Sequence, residues 1–188
     1  MTLRDFLSMI LTLTLVSGLS GGLLSAVKTV TDRHIEYQRL QHIMAPALNQ
    51  VLTVDYDNDP IKDRRTFVLG HDHEDRPLKQ TVFYATKNDR IQAVAMETSA
   101  GGYKDQVGIM LSIDVQDGIL DSIAITTHSE TPGIGTRVFD DSEFMGQFLG
   151  KPVHTRFSSQ AGELDAVSGA TFTSNAIMDA VHKGLTIY

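Results

Sequence analysis

Ser168-Gly169-Ala170-Thr171 places a hydroxyl group at the end of a glycine turn, just ahead of a predicted helix. The helical pattern of apolar residues runs on to Gly184, and Thr173 or Ser174 is its natural N-cap. Free backbone N–H groups and the helix dipole favour an anion at such a start. The spacing alone fits an ordinary capped helix, and it also suits a phosphate group on Thr171.

Two other glycine turns are predicted next to the strands. His128–Gly135 reads H-S-E-T-P-G-I-G, in which Pro132-Gly133 predicts a tight turn. Gly101–Lys104, with Tyr103 inside it, is a second glycine turn. From the residues alone, both segments fit ordinary turns.

The run His71–Asp75 holds two histidines and three acidic residues. Nothing further along the chain supplies a fixed third ligand, so a solvated loop is the better interpretation and no metal site is predicted. His128, Lys151 and His154 lack the partner spacing of acid–base catalysts. No catalytic residues are therefore assigned.

The elements that must position these residues are mostly strands. Apolar alternation around two turns predicts two hairpins, followed by a short helix and then the terminal helix. The predicted segments are Thr81–Thr86 with Ile91–Glu97 around Lys87–Arg90, then Gly108–Val115 with a strand carrying Ile119, Ile123 and Ile125, then a helix with Phe144, Met145, Phe148 and Leu149. Paired strands with helices at the ends of the pattern indicate an α+β fold.

The N-terminal segment Phe6–Val27 is an uncharged run of 22 residues. As a helix it is long enough to cross a hydrocarbon core of about 30 Å. Gly18 and Gly22 form a G-x-x-x-G pair, which lets another helix approach closely. The alternative is a cleaved signal peptide with Phe6–Val16 as its apolar core, but no convincing cleavage site follows.

Composition limits the chemistry further. The chain has 188 residues, a net charge of −7 and no cysteine. The acidic balance argues against a nucleic-acid-binding role, and the lack of cysteine excludes disulfides, thiolate metal sites and Fe–S ligation. Redox chemistry would need a bound organic cofactor. We expect an anchor over residues 1–27, a juxtamembrane helix and stalk over 28–62, and a compact β-rich domain over 63–188.

Two motifs together resemble those of a known family. Asp165–Thr171 reads D-A-V-S-G-A-T, and Glu130–Gly135 reads E-T-P-G-I-G, where the family commonly has leucine in place of Ile134. In this order they resemble signatures of the flavin-carrying subunits of Rnf-type and Na⁺-pumping NADH:quinone-reductase-type membrane complexes. With little chain beyond the domain, the sequence is more similar to the G subunits of the Rnf type than to the longer C subunits.

The resemblance implies a site and a cofactor. In that family a separate flavin transferase uses FAD and Mg²⁺ to attach FMN covalently to the last threonine of S-G-A-T through a phosphoester bond. Carried over, that residue is Thr171, which would be an attachment point and not a catalyst. The implied cofactor-binding residues are Tyr103, Glu130, Thr131, Gly133, Ile134, Gly135, Asp165, Ser168, Gly169, Ala170, Thr171 and Thr173. Tyr103 would stack near the cofactor or be an exposed tyrosine at a strand entrance, and Glu130 would hydrogen-bond the flavin ring or its own loop.

The resemblance also implies a function. The chain would be an electron-carrying subunit of an ion-translocating ferredoxin:NAD oxidoreductase complex, with other membrane subunits as partners and no catalytic site of its own. It would sit in the inner (cytoplasmic) membrane by a single pass, with the FMN-binding domain on the extracytoplasmic side. The alternatives are a stand-alone membrane-anchored extracytoplasmic FMN protein and a flavin-free module that binds an anion or a partner.

Overall fold

The computed structural model describes residues 3–157 and 164–188, and the chain divides into two compact units, Met1–Gln41 and His42–Tyr188. The predicted α+β class is confirmed. The elements are helix α1 Leu3–Arg39, a π-helical turn Leu40–Met44, α2 Ala45–Val51, β1 Arg65–His71, β2 Pro77–Lys87, β3 Arg90–Gly101, β4 Gln106–Asp114, β5 Ile119–Thr127, a 3₁₀ turn Gly135–Val138, α3 Ser142–Gly146 and α4 Thr171–Ile187.

The first unit is one long helix. Leucine, isoleucine and valine side chains from Leu3 to Val30 are exposed on α1, as an apolar surrounding would require. Within the described part of the chain, this is the one helix long and apolar enough to cross a membrane, with a mean hydropathy of 1.8 over its most apolar stretch. Helical structure continues past the apolar run to Arg39, as the sequence predicts.

The π-helical turn Leu40–Met44 has a local cause. Pro46 follows at the start of α2, and a proline has no N–H group to donate to the carbonyl four residues earlier. Its ring would also clash with that carbonyl, so the helix widens by one residue per turn ahead of it. The short helix α2 that results buries Ala47, Leu48 and Val51.

The second unit is built on a five-stranded antiparallel sheet in the order β1-β2-β3-β4-β5. Both predicted hairpins are confirmed. Asn88 and Asp89 have positive φ values of 51° and 60°, the conformation that a tight two-residue turn needs. The register of β5 differs in detail from the sequence pattern: a bulge between Ser112 and Ile113 makes Leu120, not Ile119, the fully buried residue near its start.

The two faces of the sheet are covered by different helices. Alternate residues of β3 and β4, including Met96, Ile109 and Leu111, join the main core with the apolar face of α4. The opposite face carries small residues such as Ala93 and Ala95, and α2 packs against β4 and β5. The sheet therefore fixes α4, and with it the residue Thr171 at the start of that helix.

Candidate functional site

Helix α4 begins at Thr171, earlier than the predicted N-cap at Thr173 or Ser174. The N-cap residue is Ala170, which has no side chain able to cap. The Ser174 hydroxyl instead accepts a hydrogen bond from the Val167 N–H and donates to the Ala170 carbonyl, both at 3.1 Å. The predicted cap was wrong because these hydroxyls are used inside the helix, where they bind the preceding turn and a neighbouring loop.

The earlier start places Thr171 at the first helical position, where its side chain is exposed. Backbone N–H groups in the first turn of a helix have no partner within the helix, so they can face an anion here. Gly169 has a φ of +81°, a left-handed conformation that glycine adopts without strain. The turn thus presents the Thr171 hydroxyl at the positive end of α4.

A cleft of about 260 Å³ opens beside this hydroxyl. Its exposed walls are apolar: Tyr103, Ile134 and Phe172 are 67%, 58% and 68% exposed. The rings of Tyr103 and Phe172 lie with their centroids 5.8 Å apart. The lining residues are Tyr103, Glu130, Ile134, Gly135, Gly169, Ala170, Thr171, Phe172 and Thr173.

Glu130 forms the polar wall of the cleft and is only 4% exposed. One carboxylate oxygen, Oε2, accepts a 2.9 Å hydrogen bond from the Thr173 hydroxyl. The other, Oε1, accepts a 3.2 Å hydrogen bond from the backbone N–H of Lys104. Neither donor lies in the loop of Glu130 itself, as one of the two alternatives expected: one belongs to α4 and the other to the glycine turn before β4.

The structure brings eight of the twelve implied cofactor-binding residues to this cleft and places the other four outside it. Thr131 and Gly133 shape the turn that presents Ile134. The Thr131 carbonyl accepts from the N–H groups of Ile134 and Gly135 at 3.2 and 3.1 Å, and Gly133 has a φ of +75°. Their role in the structure is to form the turn.

Asp165 and Ser168 lie on a different surface. They line a separate depression of about 540 Å³ that also contains Arg137 and Gln147. The Gln147 side-chain amide brackets the main chain of Asp165, accepting from its N–H at 2.9 Å and donating to its carbonyl at 3.2 Å. The sequence motif is therefore divided between two depressions.

The sequence pattern misses two residues of this site. In the sequence, Phe172 is only part of the predicted helix start, yet its side chain forms an exposed wall of the cleft. The sequence signal for this role is a large apolar residue in the first turn that lies outside the buried apolar face of the helix. Gly102 belongs to the predicted glycine turn, but its importance depends on a contact with Glu130 that sequence spacing does not reveal.

The run His71–Asp75 forms the turn between β1 and β2. Asp72 Oδ1 accepts from the N–H groups of Glu74 and Arg76, both at 2.9 Å, and Asp72 Oδ2 pairs with the Arg76 guanidinium at 2.7 Å. These bonds hold the pKa of the Asp72 carboxyl below its ordinary value, with the Arg76 backbone N–H as the largest cause. The Asp72 carboxylate is thus part of the turn.

An exposed hydroxyl, free N–H groups and an apolar cleft meet at one place. Such a site can hold a phosphorylated group on the hydroxyl and pack a flat aromatic ring against Ile134, Phe172 and Tyr103. Its one carboxylate, Glu130, is already hydrogen-bonded by protein donors. The geometry favours holding a ligand.

Comparison with known proteins agrees with this geometry. Residues 102–186 match the model of the FMN-binding domain family. The chain is 31% identical to the G subunit of the ion-translocating oxidoreductase complex of Erwinia tasmaniensis, over 94% of this chain and 86% of that protein. It is 29% identical to the protein of the same name from Cereibacter sphaeroides, over 93% and 84%. The crystal structure of Shewanella oneidensis NqrC has a TM-score of 0.46 at 18% identity, covers 70% of this chain and 62% of that one, and is too remote to bear on function.

Proposed function

This chain belongs to the family of G subunits of ion-translocating oxidoreductase complexes, and from that premise we propose that Thr171 carries FMN through a phosphoester bond. The protein has an FMN-binding domain and transfers electrons within a membrane-associated complex of several subunits. Similarity to complex subunits over 93% of this chain does not favour a stand-alone protein, and the FMN-binding domain does not favour a flavin-free module.

The position of Thr171 is the observation that carries the proposal. Its hydroxyl is exposed at the first residue of α4, beside the cleft and at the positive end of the helix dipole. An ester phosphate on this oxygen would face the free N–H groups of the first turn. Thr173, two residues on, is buried with its hydroxyl donated to Glu130, so it is not open to modification.

The residues present fit a flavin. Apolar side chains are exposed to water around the 260 Å³ cleft, which is unfavourable in free energy. A flat ring bound in the cleft would bury part of this apolar surface. Ile134, Phe172 and Tyr103 would hold the ring, and the start of α4 would hold the phosphate. When bound, FMN supplies one-electron redox chemistry, while the chain supplies position, partial exclusion of water and a fixed electrostatic surrounding.

Maturation and placement complete the proposal. A flavin transferase attaches the FMN and recognises the Asp165–Ala170 segment, whose Asp165 and Ser168 line the depression that contains Arg137 and Gln147. Residues 1–27 anchor the protein in the inner (cytoplasmic) membrane, residues 28–62 form the juxtamembrane helix and stalk, and residues 63–188 bind FMN on the extracytoplasmic side. The other membrane subunits donate and accept its electrons.

The test is intact-mass measurement with in-gel flavin fluorescence on full-length protein co-produced with a flavin transferase. Wild type is compared with Thr171→Ala and with Thr186→Ala, which removes an exposed hydroxyl near the other end of the same helix. We expect wild type and Thr186→Ala to fluoresce and to be heavier by one FMN less water, and Thr171→Ala to be dark. Flavin retained on Thr171→Ala, or absent from wild type despite an active transferase, would contradict the proposal.

A further inference from the structure

Glu130 is a buried carboxylate on the wall of the flavin cleft, and the protein holds it in place from three chain segments. We infer that it is a positioning residue whose fixed negative charge lowers the reduction potential of the bound FMN. This inference rests on the proposed function, because it concerns the flavin at Thr171. The electron itself comes from another protein of the complex, and no covalent bond of this chain forms or breaks.

The hydrogen bonds show that Glu130 acts as a framework residue. Its two oxygens accept from the Thr173 hydroxyl in α4 and from the Lys104 N–H in the glycine turn before β4. Glu130 itself belongs to the turn after β5. One side chain thus joins the three segments that form the cleft, and each of its oxygens already has a protein donor.

Two glycines make room for this carboxylate. A Cβ atom on Gly102 would lie 2.4 Å from Oε1 of Glu130, and one on Gly135 would lie 2.5 Å from Oε2. Both distances are far shorter than any van der Waals contact, and neither glycine has the positive φ that would otherwise explain its presence. One glycine lies against each carboxylate oxygen of Glu130, so both turns need a residue without a side chain for their backbones to approach the carboxylate this closely.

The charge has no cationic partner in the part of the chain that the structure describes. None of the lysine, arginine and histidine side chains there forms an ion pair with Glu130. Two hydrogen bonds and the positive end of α4 stabilise the buried carboxylate. Reduction adds negative charge to a flavin ring, and two like charges repel more strongly where water is excluded. A carboxylate at the cleft wall therefore makes the FMN harder to reduce.

Glu130→Gln separates charge from shape, because glutamine keeps the size of the side chain. Thr173→Val is the matched control: it removes one of the same hydrogen bonds and leaves the charge. Full-length protein is loaded with FMN, the stoichiometry at Thr171 is measured by mass, and the midpoint potential is then read by potentiometric titration of the flavin absorbance. We expect a more positive potential in Glu130→Gln, and a shift less than half as large in Thr173→Val.

The outcomes separate this inference from the proposed function. A wild type that does not load FMN on Thr171 defeats the proposed function itself. A loaded Glu130→Gln protein with the wild-type potential, or a shift of equal size in Thr173→Val, overturns the role of the charge. If Glu130→Gln does not fold, the midpoint potentials of Ile134→Glu and Ile134→Gln are compared instead, since Ile134 is an exposed residue of the cleft wall. Equal potentials in these two variants would show that a charge at the cleft wall does not affect the flavin, and would overturn the inference.

Discussion

A Cβ atom on Gly184 of α4 would lie 2.1 Å from Cδ2 of Leu111 on β4. The helix backbone and the sheet are therefore in direct contact at this point. The Thr98 hydroxyl on β3 adds a 2.8 Å hydrogen bond to the Ala180 carbonyl in the same helix. These two contacts fix the position of α4 on the sheet, and thereby the position of Thr171 beside the cleft.

Gly184→Ala should destabilise the protein, because the added methyl group would overlap a fully buried leucine. We expect a loss of about 1–3 kcal/mol in the free energy of unfolding. Gly146→Ala is the control: Gly146 lies in α3 with open space around its Cβ position. Urea unfolding of the full chain in detergent, followed by circular dichroism, measures both. Equal stability of Gly184→Ala and wild type would show that α4 can shift freely on the sheet.

Gly169→Ala should strain the turn that presents Thr171. At a φ of +81°, a residue with a side chain is strained by about 1–2 kcal/mol. The added methyl group meets no steric clash, since the atom nearest to the Cβ position, Nη1 of Arg137, lies 3.8 Å away. We expect lower stability and slower flavin loading by the transferase. Gly70→Ala, in open space on β1, should load at the wild-type rate. Time courses of in-gel fluorescence compare the two, and equal rates would refute the role of this backbone conformation.

Phe172→Ala should leave the fold intact and expose the flavin. Since the side chain is 68% exposed, the free energy of unfolding should change by less than about 0.5 kcal/mol. The FMN on Thr171 would lose one wall of its cleft, so iodide should quench its fluorescence more strongly than in wild type. Leu149 is exposed and lies outside the cleft, so iodide should quench the flavin fluorescence of Leu149→Ala to the same extent as that of wild type. Unchanged quenching in Phe172→Ala would place the ring elsewhere.

Acid should weaken the β1–β2 turn through Asp72. Hydrogen bonds from the Arg76 backbone and side chain hold the pKa of this carboxyl below its ordinary value of 3.8. A carboxyl whose pKa is depressed by folding adds stability that is present above the unfolded pKa and is lost as pH falls through the folded one. Wild type should therefore lose more stability than Asp72→Asn between neutral pH and about pH 2. Parallel pH profiles of urea unfolding would contradict this, and added salt should reduce the difference because the Arg76 side chain of the pair is exposed.

Local patterns were enough to predict much of this protein. Alternation of apolar residues predicted both hairpins, since one buried face of a sheet needs that period, and the uncharged run predicted the long apolar helix. The start of α4 was misplaced because several hydroxyl residues stand in a row there. None of them caps α4, because their partners lie elsewhere: Ser174 bonds to the preceding turn and Thr173 to Glu130.

The sequence by itself therefore determined the α+β class, the order of the elements, the motifs and the threonine that the family resemblance marks. Only the tertiary structure decided which of these residues meet. Glu130 and Thr173 are 43 residues apart in the chain, and their hydrogen bond exists because β5 and α4 are packed on one sheet. The same packing places Gly102 against Glu130, and it places Asp165 on a surface outside the cleft. Short-range periodicity reports which face of an element is buried, while the partner across the cleft is set by how the elements dock.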